Sequence, residues 1–324
     1  MKMSMQRKSG NKTIKDGFEE FVRYKKANNL RDATIKDYEV IFDIFAKFCG
    51  EDTLCKSINE KIISEYVCYL RTKPKKQNNM NNQKEQLLSD ITIATYIRHL
   101  RAIINYWIKC GYTSPFTVIV PRADEEVKEP YTDEELTLLL KKPDLKKCSF
   151  SEYRNWVMTN YFLSTANRLE TVRNILIKDI HFDDNEIYLR HVKNRKPYTI
   201  PLQKDLKLTE YLEYRHGEPD DYLFCSENDD KKPLSTESVK TAMSRYNEKR
   251  GVAKTSVHRY RNTFAKFWII NGGDLLRLKA ILGHKTLTMV LRYVDMYGKD
   301  LQQNFDTYNP LSAFSVGRHL SLRK

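Results

Sequence analysis

The sequence contains no apolar run that approaches the roughly 20 residues needed to cross a bilayer. Its start, MKMSMQRKSGNK, is basic but lacks the apolar segment of a secretory signal. The six cysteines are scattered and form no C-x-x-C pair, which fits reduced thiols better than a disulfide framework or a structural zinc site. We therefore expect a soluble cytoplasmic protein with no membrane partner.

Sequence signatures of nucleotide, dinucleotide and metal chemistry are missing as well. There is no G-x-x-x-x-G-K-[ST] loop, no G-x-G-x-x-G and no H-E-x-x-H. Acidic residues are abundant, so a carboxylate-metal nuclease site stays open as an alternative, but nothing marks a particular triplet. We expect no metal and no other cofactor.

Acidic residues are fewer than basic residues. Lys and Arg number 56 against 42 Asp and Glu, which gives a formal net charge of +14 at pH 7. Such an excess indicates a polyanionic partner. Hydrophobic residues make up 40% of the chain and aromatic residues 11%, enough to build packed cores, and 324 residues favour two domains over one.

The pattern of apolar residues predicts a mainly helical first domain. From about Ile14 to Trp107 these residues recur at three- and four-residue intervals, as on the buried face of a helix. One helix is expected to begin near Arg31-Asp32, with Thr34 as its cap. The polar, Asn-rich stretch KPKKQNNMNNQKEQ has nothing that could pack and predicts a loop.

A second domain is expected after the proline-containing stretch SPFTVIVPRADEEVKEP, which breaks the helical pattern and predicts a linker. Farther on, EIYLRHV and YTIPL alternate around the polar turn KNRKP and predict a β-hairpin within further helices. The expected fold is mainly α, with an N-terminal helical domain and a C-terminal mixed α+β domain that holds a small β-hairpin or sheet. The predicted parts are a basic tail (1–12), a helical domain (13–113), a linker (114–131) and a second domain (132–324) with a C-terminal tail (295–324).

The strongest chemical signal is a set of cationic, imidazole and phenol side chains in the second domain. His258 opens the one H-x-x-R pair of the sequence, and Tyr293 follows the L-G-H of His284 by nine residues. The six candidate residues are Arg168, Lys193, His258, Arg261, His284 and Tyr293. Their order and spacing resemble the catalytic domain of the tyrosine recombinases, the phage integrase family, and the resemblance runs from about Thr132 to Val294.

Cleavage of a phosphodiester without a metal explains these residue types. Arg168 and Arg261 would clamp the non-bridging oxygens, with His284 as a further hydrogen-bond donor. Lys193 would protonate the leaving 5′ oxygen, and His258 would act as base or hydrogen-bond partner. Tyr293 would attack phosphorus and form a 3′-phosphotyrosyl link. Alternatives stay open at two positions: Tyr297 for the nucleophile, and Arg195 or Lys196 for the general acid.

The sequence departs from the family pattern in two places. Where T-G-[LM]-R is common, it has Thr165-Ala166-Asn167-Arg168, followed by Thr171 where an acid is usual, with Glu170 one position early. Asn262 stands where the family frequently has histidine. The carboxylate support of Arg168 is therefore left open.

The resemblance implies a site-specific recombinase of a mobile element, an integrase or transposase that acts without metal or ATP. The implied partners are double-stranded DNA and three further copies of the chain, because such recombinases assemble as tetramers on two duplexes. A bacterial, nucleoid-associated location follows, with a helical core-binding domain in front and a C-terminal tail that docks either in trans or on its own domain. Three alternatives remain: a chromosome or plasmid dimer resolvase of the same family, a catalytically silent DNA-binding protein, and a type IB topoisomerase-like enzyme.

Overall fold

A computed structural model describes residues 12–74, 87–123, 128–192, 195–227, 229 and 231–297. The chain divides into two compact units, Met1–Glu126 and Val127–Lys324, and each is treated by itself below. Four sequence predictions lie wholly or almost wholly outside the described residues. They are the basic tail, the Asn-rich loop, the placement of Lys193 and the C-terminal tail.

The predicted fold class is confirmed, because the described residues form twelve α-helices and one small antiparallel sheet. The first unit contains α1 (Ile14–Ala27), α2 (Asp32–Cys49), α3 (Glu60–Thr72) and α4 (Asp90–Lys109). The second unit contains α5 (Asp133–Leu140), α6 (Phe150–Thr165), α7 (Leu169–Arg173), β1 (Ile180–His181), β2 (Glu186–Leu189), β3 (Tyr198–Pro201), α8 (Leu208–Arg215), α9 (Thr236–Lys249), α10 (His258–Ile270), α11 (Leu275–Leu282) and α12 (Thr288–Tyr297). Among these helices, none combines the length and the apolar character that a bilayer crossing demands.

The core of the first unit is built from the apolar stripes of its four helices. On α4, Ile93, Ile97, Leu100 and Ile104 are buried on one face, together with Trp107 at 0% exposure. Ser89 caps this helix by accepting a hydrogen bond from the backbone of its third residue. Burial of this stripe supplies most of the stability of the helix, because in proteins a helix is stabilised mainly by the packing of its apolar face and less by intrinsic propensity.

The predicted start of α2 was wrong in one detail. The helix begins at Asp32, and Arg31 occupies the cap position without a side-chain hydrogen bond. Thr34 therefore lies inside the first turn, where its backbone N–H donates to the carbonyl of Arg31. Asp32 at the helix start interacts favourably with the helix dipole, which helps this end form without a capping hydroxyl.

The sheet of the second unit has the strand order β1-β2-β3, with both pairs antiparallel. Ile187 pairs with Ile200 and Leu189 with Tyr198, so the predicted hairpin is present. Ile187, Leu189 and Ile200 point into the core, as the alternation of the sequence requires. The two-residue strand β1 was not predicted, because it is too short to show any alternation.

A buried hydrogen-bond network joins α9 and α10 to the start of the second unit. The side-chain amide of Asn247 donates to the Tyr131 hydroxyl (2.9 Å) and accepts from the Tyr260 hydroxyl (2.9 Å). All three residues are 0% exposed, so the polar atoms are satisfied within the core. This network holds the helix that carries His258 and Arg261.

Gly17, the fourth residue of α1, provides a test of the packing in the first unit. Alanine would ordinarily stabilise a helix interior by about 1 kcal/mol relative to glycine. Here an added Cβ would lie 2.7 Å from Trp107 Nε1 and 2.9 Å from Cys55 Sγ, both fully buried. Because overpacking costs about 1–3 kcal/mol, we expect Gly17→Ala to lower the free energy of unfolding by about 1 kcal/mol net, measured by urea denaturation of the full chain.

A double-mutant cycle separates this clash from other effects of the substitution. Trp107→Phe removes the indole nitrogen that the new Cβ would meet, so the cost of Gly17→Ala should shrink in that background. A stabilising Gly17→Ala substitution in the wild-type background would contradict the packing described for α1.

Candidate active site

Arg168 lies just after the end of α6. The helix closes at Ala166, which adopts a left-handed conformation with φ 52°, and Arg168 then caps the short helix α7. Ala166 stands where the family pattern has glycine, and an L-residue in this region is strained by about 1–2 kcal/mol. The guanidinium of Arg168 donates a long hydrogen bond of 3.4 Å to the carbonyl oxygen of Leu282.

Arg261 on α10 is the most buried charged group of the site, at 3% exposure. Its guanidinium donates to the carbonyl oxygens of Ala166 (2.9 Å) and Leu282 (2.7 Å), and to Nε2 of His284 (2.7 Å). Burial, followed by the nearby charge of Arg168, lowers the pKa of Arg261 to about 10, while Tyr293 opposes the shift. The group therefore stays charged at neutral pH, held by the ends of α6 and α11.

His284 follows α11, which ends at Gly283 with φ 59°. A Cβ at Gly283 would lie 2.6 Å from the Tyr198 hydroxyl, so glycine is required both by the backbone conformation and by the close approach of β3. Burial, followed by the charges of Arg261 and Arg168, lowers the pKa of His284 to about 4. The ring is therefore neutral at pH 7.

The hydrogen bond from Arg261 also fixes the tautomer of His284. Because Nε2 accepts from the guanidinium, the single ring proton lies on Nδ1. This Nδ1 is buried and finds no partner among the described residues. The site thus contains a buried hydrogen-bond donor that an incoming oxyanion could satisfy.

His258 begins α10, one turn before Arg261, and its side chain reaches solvent. Its ring nevertheless lies partly against the protein, and this desolvation lowers its pKa. The charges of Arg261, Lys128 and Arg168 lower it further. His258 therefore lies close enough to these cationic side chains to feel their charge, and its neutral form is favoured.

Tyr293 lies on α12 and is buried at 8% exposure. Its hydroxyl donates to the side-chain oxygen of Asn262 (3.3 Å), and its ring is parallel to that of His284, with centroids 6.4 Å apart. Tyr297 lies one turn farther along the same helix, and its buried hydroxyl lacks a partner within the described part of the chain. Burial, followed by the proximity of Tyr293, raises the pKa of Tyr297.

A cavity of about 460 Å³ opens where these elements meet. It is lined by Asn167, Arg168, Thr171, Val192, Lys196, Pro197, Tyr198, Arg261, Gly283, His284 and Lys285. The structure thus brings Arg168, Arg261 and His284 together at one cavity, whereas Lys193 lies outside the described residues. Tyr293 and His258 neighbour this group but are not among the described lining residues.

Several lining residues were not anticipated as site residues. Tyr198 on β3 and Lys285, directly after the L-G-H segment, carried no motif of their own, and Asn167 was noted only as a departure from the family pattern. Lys196 was an alternative for the general acid, and it does line the cavity. The position of Tyr198 follows from the register of the hairpin, which the sequence alone does not define.

The sequence left open whether Glu170 supports Arg168, but the structure gives its carboxylate other partners. Its carboxylate accepts hydrogen bonds from Arg173 (2.8 Å) and from the Thr236 hydroxyl (2.5 Å). Thr171 is buried and lines the cavity beside Arg168. Where the family pattern has an acid near the arginine, this chain therefore has a hydroxyl-bearing side chain at the cavity wall.

The arrangement suits an oxyanion. Two guanidinium groups, a buried imidazole N–H and two lysines face or border one cavity, so an anion there would relieve the mutual repulsion of these cations. Across the residues that the structure describes, no group of three or more His, Cys, Asp or Glu side chains could hold a metal ion.

Comparison with known proteins identifies both units. Residues 131–299 match the model of the phage integrase family, and residues 13–117 match the phage integrase SAM-like domain. Tyrosine recombinase XerC of Chlamydia caviae is 26% identical over 314 residues, which span 91% of this chain and 99% of that protein. Tyrosine recombinase XerA of Pyrococcus furiosus is 25% identical over 279 residues, or 79% of this chain and 96% of that protein.

Solved structures share the fold. A lambda integrase (75-356) dimer bound to a COC′ core site superposes with a TM-score of 0.66 at 17% identity, covering 89% of this chain and 98% of that one. The Tn1549 transposon integrase in complex with transposon right end DNA gives a TM-score of 0.67 at 18% identity, covering 87% and 94%. With a family model that matches more than half of its residues, the chain belongs to the phage integrase family, the tyrosine recombinases.

Proposed function

We propose that the protein is a site-specific DNA recombinase that cleaves and rejoins double-stranded DNA through a 3′-phosphotyrosyl intermediate. The observation that carries this proposal is the convergence of Arg168, Arg261 and His284 on one cavity, beside the buried Tyr293. A phosphodiester is the anion that such a site in a chain of net charge +14 would meet on DNA.

Binding of the scissile phosphate is the first chemical task. The two guanidinium groups would each donate charge-assisted hydrogen bonds to the non-bridging oxygens, and His284 Nδ1–H would supply a further donor. These donors are held in place before DNA arrives, as Arg261 is by its two carbonyl partners. Loss of one such donor typically costs about 3–4 kcal/mol of transition-state stabilisation.

Strand cleavage then follows without an external energy source. The Tyr293 oxygen forms a bond to phosphorus while the bond to the 5′ oxygen breaks, and Lys193 gives that oxygen a proton. The phenol proton leaves for a base, for which His258 is the candidate because its neutral form is favoured. One phosphodiester is exchanged for another, so a 5′ hydroxyl from a second strand can reverse the reaction and join a new partner.

We assign the activity to a mobile element, as an integrase or transposase. The fold similarity to a transposon integrase and to lambda integrase supports this assignment. Resolution of chromosome or plasmid dimers is the second candidate, supported by the XerC and XerA relatives. We propose a homotetramer as the active assembly, with 13–113 as DNA clamp, 114–131 as linker and 132–324 as catalytic domain, whose C-terminal tail (295–324) docks in trans or on its own domain.

Substitution of the nucleophile tests the proposed function. Tyr293→Phe should bind DNA with unchanged affinity and form no covalent adduct, because the phenyl ring lacks the attacking oxygen. Nicked duplexes from the ends of the element that flanks the gene, incubated without metal or ATP, should give a denaturation-resistant adduct with wild type only.

Tyr297→Phe is the matched control, because it makes the same chemical change one turn along α12. It should keep the adduct. An adduct that survives in Tyr293→Phe but not in Tyr297→Phe would move the nucleophile to Tyr297, whereas wild type that binds every duplex tightly without an adduct would favour a silent binder. Adducts on a symmetric chromosomal or plasmid site, but not on element ends, would favour the resolvase.

The identity of the general acid can be tested by changing the leaving group. Lys193→Ala should slow cleavage of an ordinary phosphodiester by about 100-fold or more. A 5′-bridging phosphorothiolate should restore the rate, because a thiolate leaves without needing a proton. Single-turnover cleavage of the two substrates gives the ratio directly.

Lys196→Ala is the control, since Lys196 shares the turn and lines the cavity. If Lys196 only helps to bind the phosphate, Lys196→Ala should slow cleavage of both substrates by the same factor. Selective rescue of Lys196→Ala, with none for Lys193→Ala, would transfer the role to Lys196.

The pKa of His284 predicts a pH-dependent stability in the absence of DNA. The fold lowers this pKa from 6.5 to about 4, so between these values only the unfolded chain binds the proton. Above pH 6.5 the ring is neutral in both the folded and the unfolded chain, so it does not change the free energy of unfolding. As the pH falls toward 4, the free energy of unfolding decreases, by about 1–2 kcal/mol at pH 5. Thermal denaturation between pH 5 and 8 should show a smaller acid-side decrease in Tm for His284→Gln, whose amide oxygen still accepts from Arg261 but does not titrate. Equal decreases in the two proteins would contradict the assignment.

A further inference from the structure

The hydroxyl of Tyr293 is hydrogen-bonded to a side-chain amide. This hydrogen bond runs to Oδ1 of Asn262, on α10 next to Arg261, and both side chains are almost completely buried. The described residues that line the cavity do not include Tyr293 or Asn262. Asn262 therefore holds the nucleophilic oxygen beside Arg261, its neighbour on α10 and a residue of the cavity wall.

A backbone carbonyl determines which end of the Asn262 amide faces the tyrosine. Nδ2 of Asn262 donates to the carbonyl oxygen of Lys128 at 2.8 Å. If the amide were flipped, two oxygens that can only accept would face each other, so the orientation with Oδ1 toward Tyr293 is strongly favoured. The tyrosine must then be the donor of its hydrogen bond, which requires the protonated phenol.

The segment that contains Lys128 is itself hydrogen-bonded to α10 and to the residues just before it. Nζ of Lys128 donates to the Ser256 hydroxyl (3.0 Å), and Arg259 donates to the carbonyl of Glu129 (2.6 Å). The backbone N–H of Tyr131 donates to the Thr263 hydroxyl (2.9 Å). The orientation of the Asn262 amide is thus held by a segment with three further attachments, at the start of the second unit.

We propose that Asn262 is a positioning residue for Tyr293: oriented by the Lys128 carbonyl, it holds the Tyr293 hydroxyl through a hydrogen bond until DNA is bound. An amide oxygen accepts a hydrogen bond but does not take up a proton near neutral pH. Asn262 therefore holds the hydroxyl but does not take its proton, and the hydrogen bond has to be exchanged before the oxygen attacks phosphorus. A histidine at this position would be able to accept the proton, whereas asparagine only holds it.

This inference rests on the proposed function, because it assigns a role to the residue that contacts the proposed nucleophile. It also makes a claim about the protein without DNA, which can be measured even if cleavage fails. The accessible readout is the reactivity of the Tyr293 ring toward tetranitromethane, which attacks accessible, ionisable phenols, followed by peptide mass spectrometry of the full chain.

The test compares wild type with Asn262→Leu, which is similar in volume and has no hydrogen-bonding group. We expect Tyr293 in the DNA-free variant to be nitrated at least threefold faster than in wild type. At saturating DNA, we expect single-turnover adduct formation at least as fast as in wild type, with unchanged DNA affinity. Asn262→Ala provides a second variant if the leucine variant has a lowered Tm.

Thr263→Val is the matched control on the same helix. It removes a buried hydrogen bond to the same segment, that to Tyr131, but does not touch the contact between Asn262 and Tyr293. Its Tyr293 nitration should match that of wild type. Unchanged nitration in the Asn262 variants, nitration equally raised in Thr263→Val, or slower adduct formation in the Asn262 variants would each overturn the proposal. If wild type forms no adduct on any DNA, the proposed function fails, while the nitration rates still decide the role of Asn262.

Discussion

The arrangement of the candidate active site depends on one buried guanidinium. Arg261 connects the end of α6, through the carbonyl of Ala166, with the end of α11, through the carbonyl of Leu282, and it donates to His284 as well. Because arginine offers five donors in a rigid plane, one side chain can fix three partners at once. Each partner carries or precedes a site residue, so the position of the whole cluster follows from this interaction.

The cluster is assembled at an electrostatic cost. Burial, followed by the charge of Arg168, lowers the pKa of Arg261, and burial, followed by the charges of both arginines, lowers the pKa of His284. No carboxylate is described on the cavity wall, so the charge is balanced mainly by carbonyl dipoles. A site of this kind gains stability when an oxyanion enters, because its hydrogen-bond donors are already held in place.

Much of the fold was predictable, because periodicity and caps are local properties. The stripe on α4, the hairpin of β2 and β3, and the end of α11 at Gly283 all follow from residues within a few positions of each other. The start of α2 was misplaced, since a threonine near a helix start resembles a cap even when the preceding acidic residue begins the helix. The strand β1 was missed because two residues carry no period.

The sequence by itself determined the family, the fold class and the candidate residues, since the spacing of H-x-x-R, L-G-H and tyrosine is a property of the linear chain. Only the tertiary structure decided how these residues are partnered. In that structure the carboxylate of Glu170 accepts from Thr236, Tyr198 and Lys285 line the cavity, and the hydroxyl of Tyr293 donates to Asn262. The physical reason is that hydrogen bonds between residues 31 or more positions apart depend on how helices pack, and one-dimensional spacing does not specify that packing.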